Sequence, residues 1–86
     1  MPAVTIYTTR VCVFCLRAKD YLRSKGVAFE EIDVSGDHQA RERLVERAHG
    51  QRTVPQIFVG DVHVGGYTDL VRMDGEGKFR KLLSAS

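Results

Sequence analysis

The sequence predicts an α/β domain: a mixed four-stranded sheet flanked by helices on both faces, in the order β-α-β-α-β-β-α. Three observations carry this. Short runs of strand formers alternate with stretches whose apolar residues recur at helical spacing. The last two strand runs are separated only by Gly60-Asp61, a hairpin signal that makes those strands antiparallel. The first strand–helix–strand unit is expected to cross over right-handed and pair its strands in parallel. At 86 residues the chain has room for one small domain, spanning 1–86.

The elements follow in order. Ala3 to Tyr7 (AVTIY) is a run of strand formers. From Phe14 to Lys25 the apolar residues Phe14, Cys15, Ala18, Tyr21 and Leu22 fall on one helical face, and Gly26 is placed to end the helix. Val27 to Val34 (VAFEEIDV) reads as the second strand. Ser35-Gly36-Asp37 is a turn and cap. His38 to His49 forms an amphipathic helix with Ala40, Leu44, Val45 and Ala48 on its apolar face, stopped by Gly50. Gln56–Gly60 and Val62–Val64 are the hairpin strands. A last helical region runs from Thr68 to Leu83, interrupted near Gly75 and Gly77.

Composition excludes several classes. The apolar content of 43% is ordinary for a globular chain, with an expected stability of roughly 5 to 10 kcal/mol. A net charge of +2 is too slight for a dedicated nucleic-acid binder but suits small anionic ligands. No apolar run approaches the ~18 residues of a membrane span. The opening MPAVTIYTTR lacks a basic segment followed by an apolar one, so no secretory signal is visible. The expected compartment is the cytoplasm, where structural disulfides are rare and a CxxC pair is usually catalytic or metal-binding.

That pair is Cys12-Val13-Phe14-Cys15, placed where the first strand gives way to the first helix. Cys12 sits at the helix start, so free backbone N–H groups and the positive end of the helix dipole favour thiolate at its sulfur. Arg10 adds positive charge nearby. Cys15, one turn inside, stays protonated longer and suits the role of resolving a mixed disulfide. A structural disulfide across so short a loop constrains the unfolded chain little. A zinc site needs four ligands; there is no second CxxC, and His38, His49 and His63 fall on different elements, where they read as ordinary surface or loop residues.

Two distal segments extend the site. Thr53-Val54-Pro55 precedes the third strand. Proline belongs at a strand start, and Val54 before it is pushed into extended geometry. Its N–H and C=O can then pair with an extended peptide-like ligand as a missing strand would. Gly65-Gly66-Tyr67-Thr68-Asp69 combines glycines that permit close backbone approach with a helix start that suits a carboxylate, and Asp69 can accept from an ammonium. Taken singly, the first is an ordinary trans loop proline and the second an ordinary capped helix.

Together, and in this order, TTRVCVFC, TVPQIFVG and GGYTDL resemble the glutaredoxins, especially the small bacterial dithiol members, over nearly the whole chain. The resemblance implies the thioredoxin fold and an enzyme that uses glutathione as co-substrate to reduce glutathione mixed disulfides and protein disulfides. It implies Cys12 as nucleophile and Cys15 as resolving thiol. It places Phe14 beside the glutathione, where the family often has tyrosine. Thr53 and Val54 fall on the segment that pairs with the cysteinyl residue, and Pro55 on a cis-proline. Gly66, Tyr67, Thr68 and Asp69 fall where the γ-glutamyl end is held. Arg10 and Arg41 are the expected partners of the glycine carboxylate, since arginine grips a carboxylate bidentately. The family often has lysine at the position of Thr9, one step from Arg10. Implied partners are glutathionylated or disulfide-containing proteins, with no nucleic acid and no membrane; a monomer is expected.

Val13 departs from the CPYC of much of the family. Proline there would sit at the first helical position without an N–H; valine restores that N–H, expected to donate toward the Cys12 sulfur, and its β-branching keeps the site stiff. Two alternatives follow. Some relatives lacking the proline hold a [2Fe–2S] cluster between two monomers with two glutathiones, a role in which Cys12 would be the protein ligand here. The glutaredoxin-like NrdH redoxins, with CVQC, are reduced by thioredoxin reductase, but their distal segment is typically WSGFRP where this chain has GGYTDL. Glutathione is the favoured reductant.

Overall fold

The structure, a computed structural model, describes residues 2–85. The elements are β1 (Val4–Thr8), α1 (Val13–Ser24), β2 (Glu30–Asp33), α2 (His38–Arg47), β3 (Gln56–Val59), β4 (Val62–Gly65), α3 (Tyr67–Gly75) and α4 (Lys78–Ser84). The strands form one sheet in the order β2-β1-β3-β4. β1 and β2 are parallel, with Tyr7 opposite Ile32. β1 and β3 are antiparallel, with Ile6 opposite Ile57, and β3 and β4 close as the antiparallel hairpin. The predicted mixed sheet is therefore the observed one.

Strand alternation divides the core between the two faces of the sheet. Val4, Ile6, Ile57, Val59 and Val64 meet Ala18 and Leu22 of α1, Leu70 of α3, and Phe79 and Leu83 of α4. On the other face Phe58 packs with Leu44 and Ala48 of the α2 region and with Val34. Burying each such side chain stabilises the fold by about 1.5–3 kcal/mol. Both clusters tie the sheet to helices whose ends carry the candidate chemistry.

Three boundaries differ from expectation. β2 is shorter than Val27–Val34 because only Glu30–Asp33 lies opposite β1; Val27 and Phe29 reach the core from the preceding loop instead. The last helix breaks in two, giving β-α-β-α-β-β-α-α. The break falls at Gly77, whose φ is +78°, while Gly75 remains helical. α2 ends at Arg47 rather than His49, because the chain leaves through positive φ at His49 (58°) and Gly50 (86°). No helix among the described residues is long and apolar enough to cross a membrane.

Candidate active site

Cys12 caps α1. Its backbone is extended (φ −155°, ψ 105°), and its Sγ accepts a hydrogen bond from the Cys15 N–H at 3.1 Å. A cysteine thus occupies the place that Ser, Thr or Asp usually takes at a helix start. The donor to sulfur is the N–H of Cys15, not that of Val13. The Cys12 S–H also lies 3.6 Å from the Val54 carbonyl oxygen, which ties the cysteine loop to the segment before β3. Cys12 is half-buried; Cys15, one turn on, is 2% exposed. Burial first, then the hydrogen bond with Cys12, pushes the Cys15 thiol from 9.0 up to about 12. Cys15 therefore remains a thiol at neutral pH, and Cys12 is the sulfur open to a partner.

Beside Cys12 runs a groove of about 270 Å³, lined by Phe14, Gln51, Thr53, Val54, Pro55, Gly66, Tyr67, Thr68 and Asp69. The Val54–Pro55 bond is cis. The far wall is the junction of β4 and α3. There Gly65 adopts φ +115°, and a Cβ on it would collide with the Asp69 carboxylate. Asp69 accepts the Gly66 N–H at 3.0 Å and pairs with Arg72 at 3.1 Å, closing the start of α3. The Phe14 and Tyr67 rings face each other at 6.2 Å. Three segments distant in sequence are brought to one groove because each lies at the same end of the sheet.

The two arginines lie elsewhere. Arg10 is exposed in the loop after β1, where its backbone N–H donates to Ser35 Oγ at 2.7 Å. Arg41 donates to the Arg52 carbonyl at 3.1 Å and lines a separate hollow with Val34, Gly36, Asp37 and His38. Neither borders the groove. Gln51, which does, carried no signal in the sequence: it is a single amide in a short loop, two residues before Thr53. The histidines also differ from expectation, since the chain reversal after α2 brings His49 to His63 of β4, with their Nδ1 atoms 2.9 Å apart.

The glutaredoxin family model matches residues 4–64, which include both cysteines and the Thr53–Pro55 segment. The chain belongs to the glutaredoxin family. A glutaredoxin of Pseudomonas aeruginosa is 49% identical over 99% of this chain and 100% of its own. Glutaredoxin 3 of Escherichia coli is 45% identical over 96% of this chain and 99% of its own. The solution structure of a Brucella melitensis glutaredoxin, 48% identical, superposes with a TM-score of 0.84 over 96% of this chain and 89% of that one.

Membership makes this glutaredoxin a thiol–disulfide oxidoreductase with the thioredoxin fold and Cys12–Cys15 as its redox-active pair. Val11 is 96% exposed, and Val13, Phe14 and Leu16 are also exposed, so the accessible sulfur sits within an apolar collar. Arg17 lies over the Phe14 ring at 5.3 Å.

Proposed function

We propose that this glutaredoxin uses glutathione as its reductant and carries the glutathionyl group on Cys12. The observation that supports this best is the groove next to the Cys12 sulfur, since a peptide-sized recess is what a tripeptide thiol needs. Thr53 and Val54 offer extended backbone for its cysteinyl residue. Gly66 lines the start of α3, where Tyr67, Thr68 and Asp69 offer N–H groups for the α-carboxylate and Asp69 a carboxylate for the ammonium of its γ-glutamyl end.

In the monothiol route the Cys12 thiolate attacks the glutathione sulfur of a glutathionylated protein. The S–S bond to the protein breaks, the protein leaves as a thiolate and takes up a proton, and Cys12 holds glutathione in a mixed disulfide. A second glutathione thiolate attacks the glutathione sulfur of that disulfide, releases oxidised glutathione and regenerates the Cys12 thiolate. In the dithiol route Cys12 attacks a protein disulfide. Cys15 loses its proton as it attacks Cys12, and the client leaves fully reduced, with the enzyme holding the Cys12–Cys15 disulfide until glutathione reduces it. Burial keeps Cys15 protonated until that step.

The test compares reductants. Wild-type enzyme is assayed on hydroxyethyl disulfide with glutathione and glutathione reductase, and separately with thioredoxin reductase and NADPH. Turnover with glutathione alone is expected. Turnover with thioredoxin reductase and none with glutathione overturns the proposal in favour of a redoxin.

A further inference from the structure

Two histidines from different elements meet outside the groove, and the protons on them can be assigned. Gln56, on β3, is fully buried. Its Nε2 reaches the Thr53 carbonyl at 3.1 Å. A backbone carbonyl only accepts, so Gln56 Nε2 is the donor and Gln56 Oε1 the acceptor. His63 Nε2, on β4, lies 2.6 Å from that oxygen and so carries a proton. Burial, then the charge of His49, holds the His63 pKa below its ordinary value, so the ring is neutral at pH 7 and its Nδ1 keeps a lone pair. That lone pair faces His49 Nδ1, 2.9 Å away, in the turn after α2.

His63 is thereby set up as a metal ligand. A ligating imidazole binds through one nitrogen while the other donates to an oxygen that fixes its tautomer and orientation. Gln56 Oε1 is that oxygen, and Phe58 covers the ring at 5.0 Å. His49 is exposed, so its ring can turn and shift its proton to Nε2, which frees a second Nδ1 lone pair for the same ion. The separation of the two nitrogens selects the ion. With bonds of about 2.0–2.1 Å, two nitrogens stand about 2.9 Å apart at a right angle, but about 3.3 Å apart at the tetrahedral angle of zinc. The right angle belongs to the square-planar and tetragonal sites of Cu(II) and Ni(II), and of the two Cu(II) binds nitrogen donors more strongly. Among the described residues no group of three His, Cys, Asp or Glu side chains forms such a site, so water completes the coordination. The nearest charges act in opposite senses: Arg47, over the Phe58 ring at 4.2 Å, opposes a cation at His63, and Asp69 favours one.

We propose that His49 and His63 form a Cu(II) site, with Nδ1 of each as ligand and Gln56 as the positioning residue that orients His63. The bound ion takes the place of the proton between the rings and fastens the turn after α2 to β4. The site draws no ligand from the cysteines and does not depend on the glutathione reading.

The experiment titrates the oxidised protein with cupric chloride; its Cys12–Cys15 disulfide occupies the only two thiols of the chain. Affinity is read by competition with a chelator, and the donor set by electron paramagnetic resonance. One equivalent is expected to bind, with hyperfine coupling to two imidazole nitrogens. His49→Asn removes the imidazole at a position of positive φ (58°) that asparagine tolerates. It is expected to weaken binding at least roughly tenfold, the lower end of what loss of even an outer-shell partner costs, and to leave coupling to one imidazole at most. His63→Phe, which keeps a ring on Phe58, is expected to do the same. His38→Ala, on α2, is expected to change nothing. Unchanged affinity in His49→Asn overturns the proposal, as does loss of the site in His38→Ala or a wild-type spectrum without imidazole nitrogen. Should His63→Phe fail to fold, His49→Asn at its exposed position decides alone.

Discussion

At the scale of single residues, the two cysteines are chemically unlike because one is a helix cap and the other is core. Cys12 is reachable and receives the Cys15 N–H, whereas Cys15 is buried with its thiol pushed up to about 12. Limited iodoacetamide at neutral pH is accordingly expected to label Cys12 alone in the reduced protein, read by peptide mass. The same shift has a consequence for stability. A group whose value is raised on folding holds its proton more tightly folded than unfolded, so it contributes stability that is full below its unfolded value and lost as pH rises. For Cys15 that window runs from 9.0 to about 12. Tyr21, raised to about 12 chiefly by its hydrogen bond to Asp74, adds to the loss. Denaturant midpoints of reduced protein should fall across this range, and Cys15→Ala should flatten the fall relative to its own value at pH 8.

At the scale of elements, both edges of the groove depend on how a helix begins. α1 starts on an extended Cys12 followed by Val13, a backbone that proline tolerates at the first helical position. Val13→Pro is thus expected to fold normally and to change stability by no more than about 1 kcal/mol, measured by urea denaturation. α3 starts on a tighter constraint. Gly65→Ala puts a side chain at φ +115° and against the Asp69 carboxylate; a loss of about 1–3 kcal/mol is expected from the backbone alone, with weakened glutathione binding seen by calorimetry. These elements were largely legible in the sequence. The apolar periodicity of α1 and the Gly60-Asp61 turn are local signals, and both elements appear where they were expected. The length of β2 was not legible, because its pairing ends where β1 stops facing it. The split at Gly77 was signalled by glycine but not its exact place. Of the site, Cys12, Phe14, Thr53–Pro55 and Gly66–Asp69 were legible because each sits in a short motif. Gln51 and the His49–His63 pair were not, because their meeting depends on the backbone reversal after α2 and on the alternation that puts Gln56, Phe58 and His63 on one face.

At the scale of the whole molecule, the sheet is held between two unequal cores, and the larger one reaches the C-terminal helix through Phe79 and Leu83. Phe79 is 1% exposed, so Phe79→Ala is expected to cost about 3–5 kcal/mol, a large part of the whole stability of so small a domain; thermal unfolding by circular dichroism checks it. The fold holds one reachable sulfur beside a groove of about 270 Å³, with a second, buried sulfur one helical turn on. The most direct measurement is turnover of a glutathionylated substrate, with glutathione as reductant, by Cys12→Ser and Cys15→Ser. The account predicts no activity above background for Cys12→Ser and retained deglutathionylation for Cys15→Ser. Robust turnover by Cys12→Ser would contradict it.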